Sequence, residues 1–140
     1  MAVDSIFVNL PVTDLERSKA FYTALGWSVN PLFSNEDAAC IVASEHVYAM
    51  LLLHPFFSTF TSKTIIDAKE QVQALLALSV GSREEVDELL AKGLAAGGAE
   101  PVPVQDLGFM YSRDLEDPDG HIWEFLHMDP AVAEAGPPAS

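Results

Sequence analysis

The chain has a single cysteine, Cys40, so no internal disulfide can form and stability must come from a packed core. Basic residues are also scarce: seven Lys and Arg stand against twenty-one Asp and Glu, for a formal charge of −14. A surface of that sign repels phosphate backbones and anionic headgroups, which argues against nucleic-acid and membrane partners. The acidic residues are scattered along the chain rather than gathered in one block, which reads as a solubility feature. No stretch approaches the ~18 consecutive apolar residues that a bilayer span needs. The longest apolar run, residues 47–53, has the length of a strand. Residues 1–4 carry neither the basic nor the apolar part of a secretory signal, and a cytoplasmic location is expected.

What is present describes one folded domain. The 140 residues are 49% hydrophobic with a mean hydropathy of +0.19, which excludes disorder for the body of the chain. Cys40 sits in the apolar run 38–43 and reads as a buried structural thiol. An internal repeat sets the organisation. Residues 5–12 read as a strand, and Thr13-Asp14-Leu15-Glu16 follows as a capping box with Thr13 as its cap. A helix carrying Leu15, Ala20, Phe21 and Leu25 stops at Gly26, and three strands are expected at 27–33, 38–43 and 47–53. The order then recurs. Residues 74–80 form a strand, Ser82-Arg83-Glu84-Glu85 caps a helix with Val86, Leu89, Leu90 and Leu94 on one side, and strands are expected at 100–105, 109–115 and 121–128. His46 to Leu51 lines up with His121 to Leu126 as the closing strand of each copy. The expected fold class is therefore α+β, with two tandem β-α-β-β-β modules at 5–54 and 74–128. A connector at 55–73 lies between them, and 129–140 is a flexible tail. The connector holds Phe56, Phe57, Phe60, Ile65 and Ile66 and is too apolar to hang free; it is either a lid or an interface.

Two segments carry a family resemblance. Residues 12–22, Val-Thr-Asp-Leu-Glu-Arg-Ser-Lys-Ala-Phe-Tyr, with Leu25-Gly26, and the turn Asp117-Pro118-Asp119-Gly120 with His121-Ile122-Trp123-Glu124, resemble the vicinal-oxygen-chelate superfamily. That superfamily includes glyoxalase I, bleomycin-resistance proteins and extradiol dioxygenases. The resemblance implies a curled mixed-sheet cup with helices on its outer side. In metal-dependent members one divalent ion is held by the first and last strands of each module. The ion acts as a Lewis acid on a substrate with adjacent oxygens.

Carried onto this chain, the resemblance assigns the four ligand positions to Phe7, Leu75, Ala49 and Glu124. Only Glu124 can coordinate, too few donors for a zinc, nickel, manganese or iron site, so no metal or other cofactor is expected. Inside an apolar cup the Glu124 carboxyl should titrate high and could act as a general base or anchor a cation. Asn9 and Ser79 are expected on the cup face as hydrogen-bonding groups, and Arg113 at its rim. His121 and His127 alternate to the face opposite Glu124, and His54 is placed to reach the pocket mouth. The resulting expectation is a protein binding a small molecule in an apolar cup. The alternatives are a metal-dependent lyase or dioxygenase and a metal-free enzyme with Glu124 as base. A homodimer is also expected.

Overall fold

The computed structural model describes residues 2–138. Among these residues, eight strands form two separate four-stranded sheets of the same plan. One is ordered β1 (Ile6–Val12), β4 (Val47–Leu53), β3 (Ala38–Val42), β2 (Ser28–Asn30). The other is ordered β5 (Leu75–Ser79), β8 (Ile122–Met128), β7 (Met110–Glu116), β6 (Gln105–Asp106). In each sheet the first and closing strands are parallel and the remaining pairs antiparallel. The helices α1 (Leu15–Ala24) and α3 (Arg83–Ala95) lie between the first and second strands of each module. The repeat read from sequence is thus the architecture, an α+β fold of two β-α-β-β-β units. β1 and β5 each end a sheet, so the sheets do not close on one another.

Local chemistry shortens several expected strands. Of residues 27–33 only Ser28–Asn30 pair, because Pro31 has no N–H for a ladder and instead opens a 3-10 helix at Pro31–Phe33. Residues 100–105, interrupted by Pro101 and Pro103, give only the two-residue β6, after a single bridge from Ala99 to Glu116. The tail is not wholly irregular: Asp129 caps a short helix, α4 (Pro130–Ala135), by accepting from the Ala131 N–H at 2.9 Å. Ala139 and Ser140 lie outside the described residues. A further one-turn helix, α2 (His54–Phe57), opens the connector. No helix among the described residues is long and apolar enough to cross a membrane.

The helix caps differ in one instructive respect. Ser82 behaves as its capping box requires, accepting from the Glu85 N–H at 3.1 Å while the Glu85 carboxylate returns to the Gly81 N–H at 3.0 Å. At α1 the cap is Asp14 rather than Thr13. Thr13 is drawn away by Asp119, to which it donates from its N–H at 3.1 Å and its hydroxyl at 2.8 Å.

One core serves both modules. It joins Leu10, Val12, Ala49 and Leu51 of the first sheet to Leu115, Trp123 and Phe125 of the second, under Phe21 and Tyr22 of α1 and Val86 and Leu90 of α3. The Asp117–Gly120 turn fastens the halves together. Asp117 is buried and accepts from the Tyr22 hydroxyl and from the N–H groups of Asp119 and His121. Trp123 Nε1 donates to the same Tyr22 oxygen at 2.9 Å. Asp119 also accepts from Arg17 at 3.3 Å and from the Ser18 hydroxyl at 3.2 Å. His121 Nε2 lies 2.7 Å from the Pro11 carbonyl oxygen and donates to it. A turn of the second module therefore grips the first strand and first helix of the other.

Candidate functional site

Alternation divides every strand between a helix-facing side and an open side. Leu10 and Val12 are core, so Phe7, Asn9 and Pro11 of β1 face the open side. The ladder carries this to the partner strands. Phe7 lies opposite Tyr48 and Asn9 opposite Met50, while Leu75 lies opposite Ile122, Ala77 opposite Glu124 and Ser79 opposite Leu126. Phe7, Asn9, Leu75, Ser79 and Glu124 therefore share the open side, as the spacing implies. Phe7 stacks on Tyr48 with ring centroids 4.4 Å apart.

Two expected residues are elsewhere. Ala49 is fully buried in the shared core, because its ladder partner is the helix-facing Val8. Aligning the two helix caps, Asp14 and Ser82, sets Phe7 against Leu75 and thus Met50, not Ala49, against Glu124. Matching His46 to His121 by identity runs one residue out of phase, and in a strand one residue changes the face. Arg113 is likewise on the helix-facing side, opposite Phe125. There it forms a two-point bond with Glu100, at 3.0 and 3.2 Å, and donates to Asp87 at 3.0 Å. These carboxylates hold the Arg113 guanidinium charged, and Arg113 braces α3 rather than meeting a ligand. His54 begins α2 and does not line either cavity on the open side. His127 faces away from Glu124, its Nδ1 3.1 Å from the Val80 carbonyl oxygen.

Glu124 has a neighbour that strand periodicity alone does not reveal. Asp114 of β7 is its direct cross-strand partner and points to the same open side. Neither carboxylate has a basic partner within salt-bridge distance among the described residues. Burial pushes the Glu124 carboxyl up, and the Asp114 charge pushes it further; Asp114 is raised by burial and then by Glu100. They line a recess of about 280 Å³ with Ser112, Gln105, Val102 and Val104. Substituting Asp114→Asn should lower the Glu124 pKa by removing that like charge, read from the carboxyl carbon shift in an NMR titration. An unchanged or higher midpoint would show that the two do not interact.

A larger cavity, about 550 Å³, lies between β1, the start of β5 and the closing turn. Asn9 and Pro11 form one wall and Ala74, Leu76 and Ile122 another. The connector forms the rest through Phe57, Ile65, Ile66 and Val72, with Lys63, Gln71 and Gln73. The connector is held there by contact with the closing turn. Gly120 has φ +100°, and a Cβ at that position would lie 2.5 Å from the Ala68 carbonyl and 2.6 Å from the Lys69 nitrogen. Glu124 is not on this wall, although Ile122, two residues before it, is. Cys40 lies opposite Met50 and is fully buried; burial raises its thiol pKa, so it is chemically quiet.

The resemblance implies four metal-ligand positions. They hold Phe7, Leu75, Met50 and Glu124, with Asp114 beside the last. Among the described residues no three His, Cys, Asp or Glu side chains gather where they could hold a metal ion. One carboxylate pair without imidazole or thiolate does not fit the ion that the resemblance implies.

Comparison with known proteins agrees with the fold. Residues 5–44 match the family model described as bleomycin resistance protein-like N-terminal. No curated protein matches the chain. Among solved structures, a hypothetical protein from S. aureus is 29% identical, covering 91% of this chain and 95% of its own, with a TM-score of 0.75. A glyoxalase-related enzyme from Fulvimarina pelagi is 26% identical over 86% of this chain and 85% of its own, with a TM-score of 0.71. A glyoxalase/bleomycin resistance protein from Albidiferax ferrireducens is 27% identical over 86% and 95%, with a TM-score of 0.62.

Proposed function

We propose, from the premise that this chain belongs to the vicinal-oxygen-chelate superfamily, that it binds a small, largely apolar molecule without the help of a metal ion. The observation that carries this reading is the cavity of about 550 Å³ walled by the connector. Its size suits a small organic ligand, and its lining combines isoleucines and a phenylalanine with a few amide groups, the usual make-up of such sites. The connector then acts as a wall of the ligand site. The side chains at the superfamily's metal positions support the metal-free part of the reading, since three of the four are Phe7, Met50 and Leu75.

Two measurements test it. Metal analysis of protein purified without chelator should find far less than one ion per chain; a stoichiometric divalent ion lost in Glu124→Gln would overturn the proposal in favour of a metal-dependent lyase or dioxygenase. A neutral solvatochromic dye should bind the wild type and lose affinity by about tenfold or more in Ala74→Trp. That change fills the cavity from an exposed position and should leave the melting temperature unmoved. Equal dye binding by both proteins would place the ligand elsewhere.

The Asp114–Glu124 pair favours a second reading, a metal-free enzyme with Glu124 as general base. Burial and the Asp114 charge raise its pKa, which makes the Glu124 carboxylate a stronger base than an ordinary one. The open sides also leave Phe7 and Leu75 more than half exposed. We propose that a second copy covers them in a homodimer. Light scattering that gave a monomer at every concentration would rule the dimer out.

A further inference from the structure

Resting on the cavity reading above, we infer that the ligand of the connector-walled cavity is an organic monoanion, an apolar body bearing one carboxylate, with Lys63 as its counter-charge. The chain has twenty-one Asp and Glu, and none of them is on this wall. Among the described residues, Lys63 is the one Lys, Arg, Asp or Glu on the wall, and the one histidine there, His121, is committed to the Pro11 carbonyl. Four of the other cations are already paired: Arg17 with Asp119, Lys19 with Glu16, Arg83 with Asp106, and Arg113 with Asp87 and Glu100. Among the described residues Lys63 has no carboxylate within salt-bridge distance, while its backbone N–H is held by the Thr61 hydroxyl at 3.1 Å.

The charge carried by the cavity lining is therefore opposite in sign to the net charge of the molecule. Carboxylates on remote surfaces are screened over the ~8 Å Debye length of physiological salt. A pair formed against an apolar wall is screened less and meets a lower effective dielectric. One ammonium matches one negative charge, and a second charge on the ligand would face the acidic surface without a partner. Asn9, Gln71 and Gln73 offer neutral donors to carboxylate oxygens, and Ile65, Ile66 and Ile122 offer apolar surface to the rest.

Calorimetric titration of the full chain with 4-phenylbutanoate, 4-phenylbutanamide and 4-phenylbutylamine tests this. The acid should bind on the order of tenfold tighter than the amide, the effect of one partly screened ion pair, and the amine weakest. Lys63→Met keeps the apolar stem and should bring the acid to the level of the amide without changing the amide. Lys69→Met, which removes a connector charge that is not on the wall, should keep the wild-type order. If acid and amide bind the wild type equally, or the amine binds best, or Lys63→Met keeps the acid's advantage, the inference is wrong. The cavity reading survives those results wherever Ala74→Trp still abolishes amide binding. If none of the three compounds binds the wild type, the cavity reading falls and this inference falls with it.

Discussion

Gly120→Ala should cost about 3 kcal/mol of folding stability and release the connector. Two separate effects add at this residue. Its φ of +100° is one that an L side chain adopts only under strain, and the new methyl would be driven to 2.5 Å from the Ala68 carbonyl. Gly97 separates the two contributions, since it has φ +103° and a Cβ there would meet nothing within 4 Å. Gly97→Ala should therefore cost only about 1 kcal/mol, the backbone part. Urea unfolding of both variants gives the comparison, and limited proteolysis between residues 58 and 73 reports the connector. Equal losses in the two variants would mean that the closing turn does not hold the connector. Because the connector walls the cavity, Gly120→Ala should also weaken the neutral dye more than its stability loss explains.

The second large effect is expected at the join between the modules. Tyr22→Phe deletes one hydroxyl that both donates to buried Asp117 and accepts from Trp123 Nε1. Two buried polar groups lose a partner, at about 2 kcal/mol near neutral pH. The pH dependence has a definite sign. Burial raises the folded pKa of Asp117, the nearby Asp119 charge raises it further, and His121 and the Tyr22 hydrogen bond oppose the rise. A raised carboxyl contributes stability that is present below its unfolded pKa and is lost as pH rises through the folded value. Removing the Tyr22 hydroxyl removes one of the opposing influences, so Asp117 should titrate higher still in the variant. The cost of Tyr22→Phe should then shrink as pH falls through the range in which Asp117 gains its proton. Chemical unfolding at pH 4.5 and pH 7.5 checks this, and a cost that grew at the lower pH would contradict the assigned role of Asp117. The hydroxyl of Tyr22 is itself held protonated, mainly by its burial and then by the Asp117 charge, so it remains a donor throughout this range.

Much of the site is legible along the chain, and where it is not the causes are particular. Phe7, Asn9, Leu75, Ser79 and Glu124 fall on one side because each belongs to a strand whose phase is fixed by neighbouring core residues. Ala49 is misplaced when the phase of β4 rests on a coincidence of histidines instead of on the ladder. Arg113 is misplaced for a related reason. A charged residue on a half-buried strand is expected to face outward, but Glu100 and Asp87 supply the partners that let it lie under α3. Asp114 stands next to Arg113 in sequence, and only the antiparallel register of β7 against β8 brings it beside Glu124.

The sequence by itself determined the doubled β-α-β-β-β plan, the face on which Glu124 stands, and the lack of ligating side chains at Phe7 and Leu75. These are local matters: hydrophobic period, helix caps and turn residues act over a few neighbours and can be read in order. Only the tertiary structure decided that the Asp117–Gly120 turn clasps α1, that Asp114 and Glu124 adjoin, and that the connector closes a cavity from which every carboxylate is absent. Each of those depends on residues far apart in the chain meeting at distances of a few ångströms. Such meetings are set by how two sheets share one core, which no local pattern encodes.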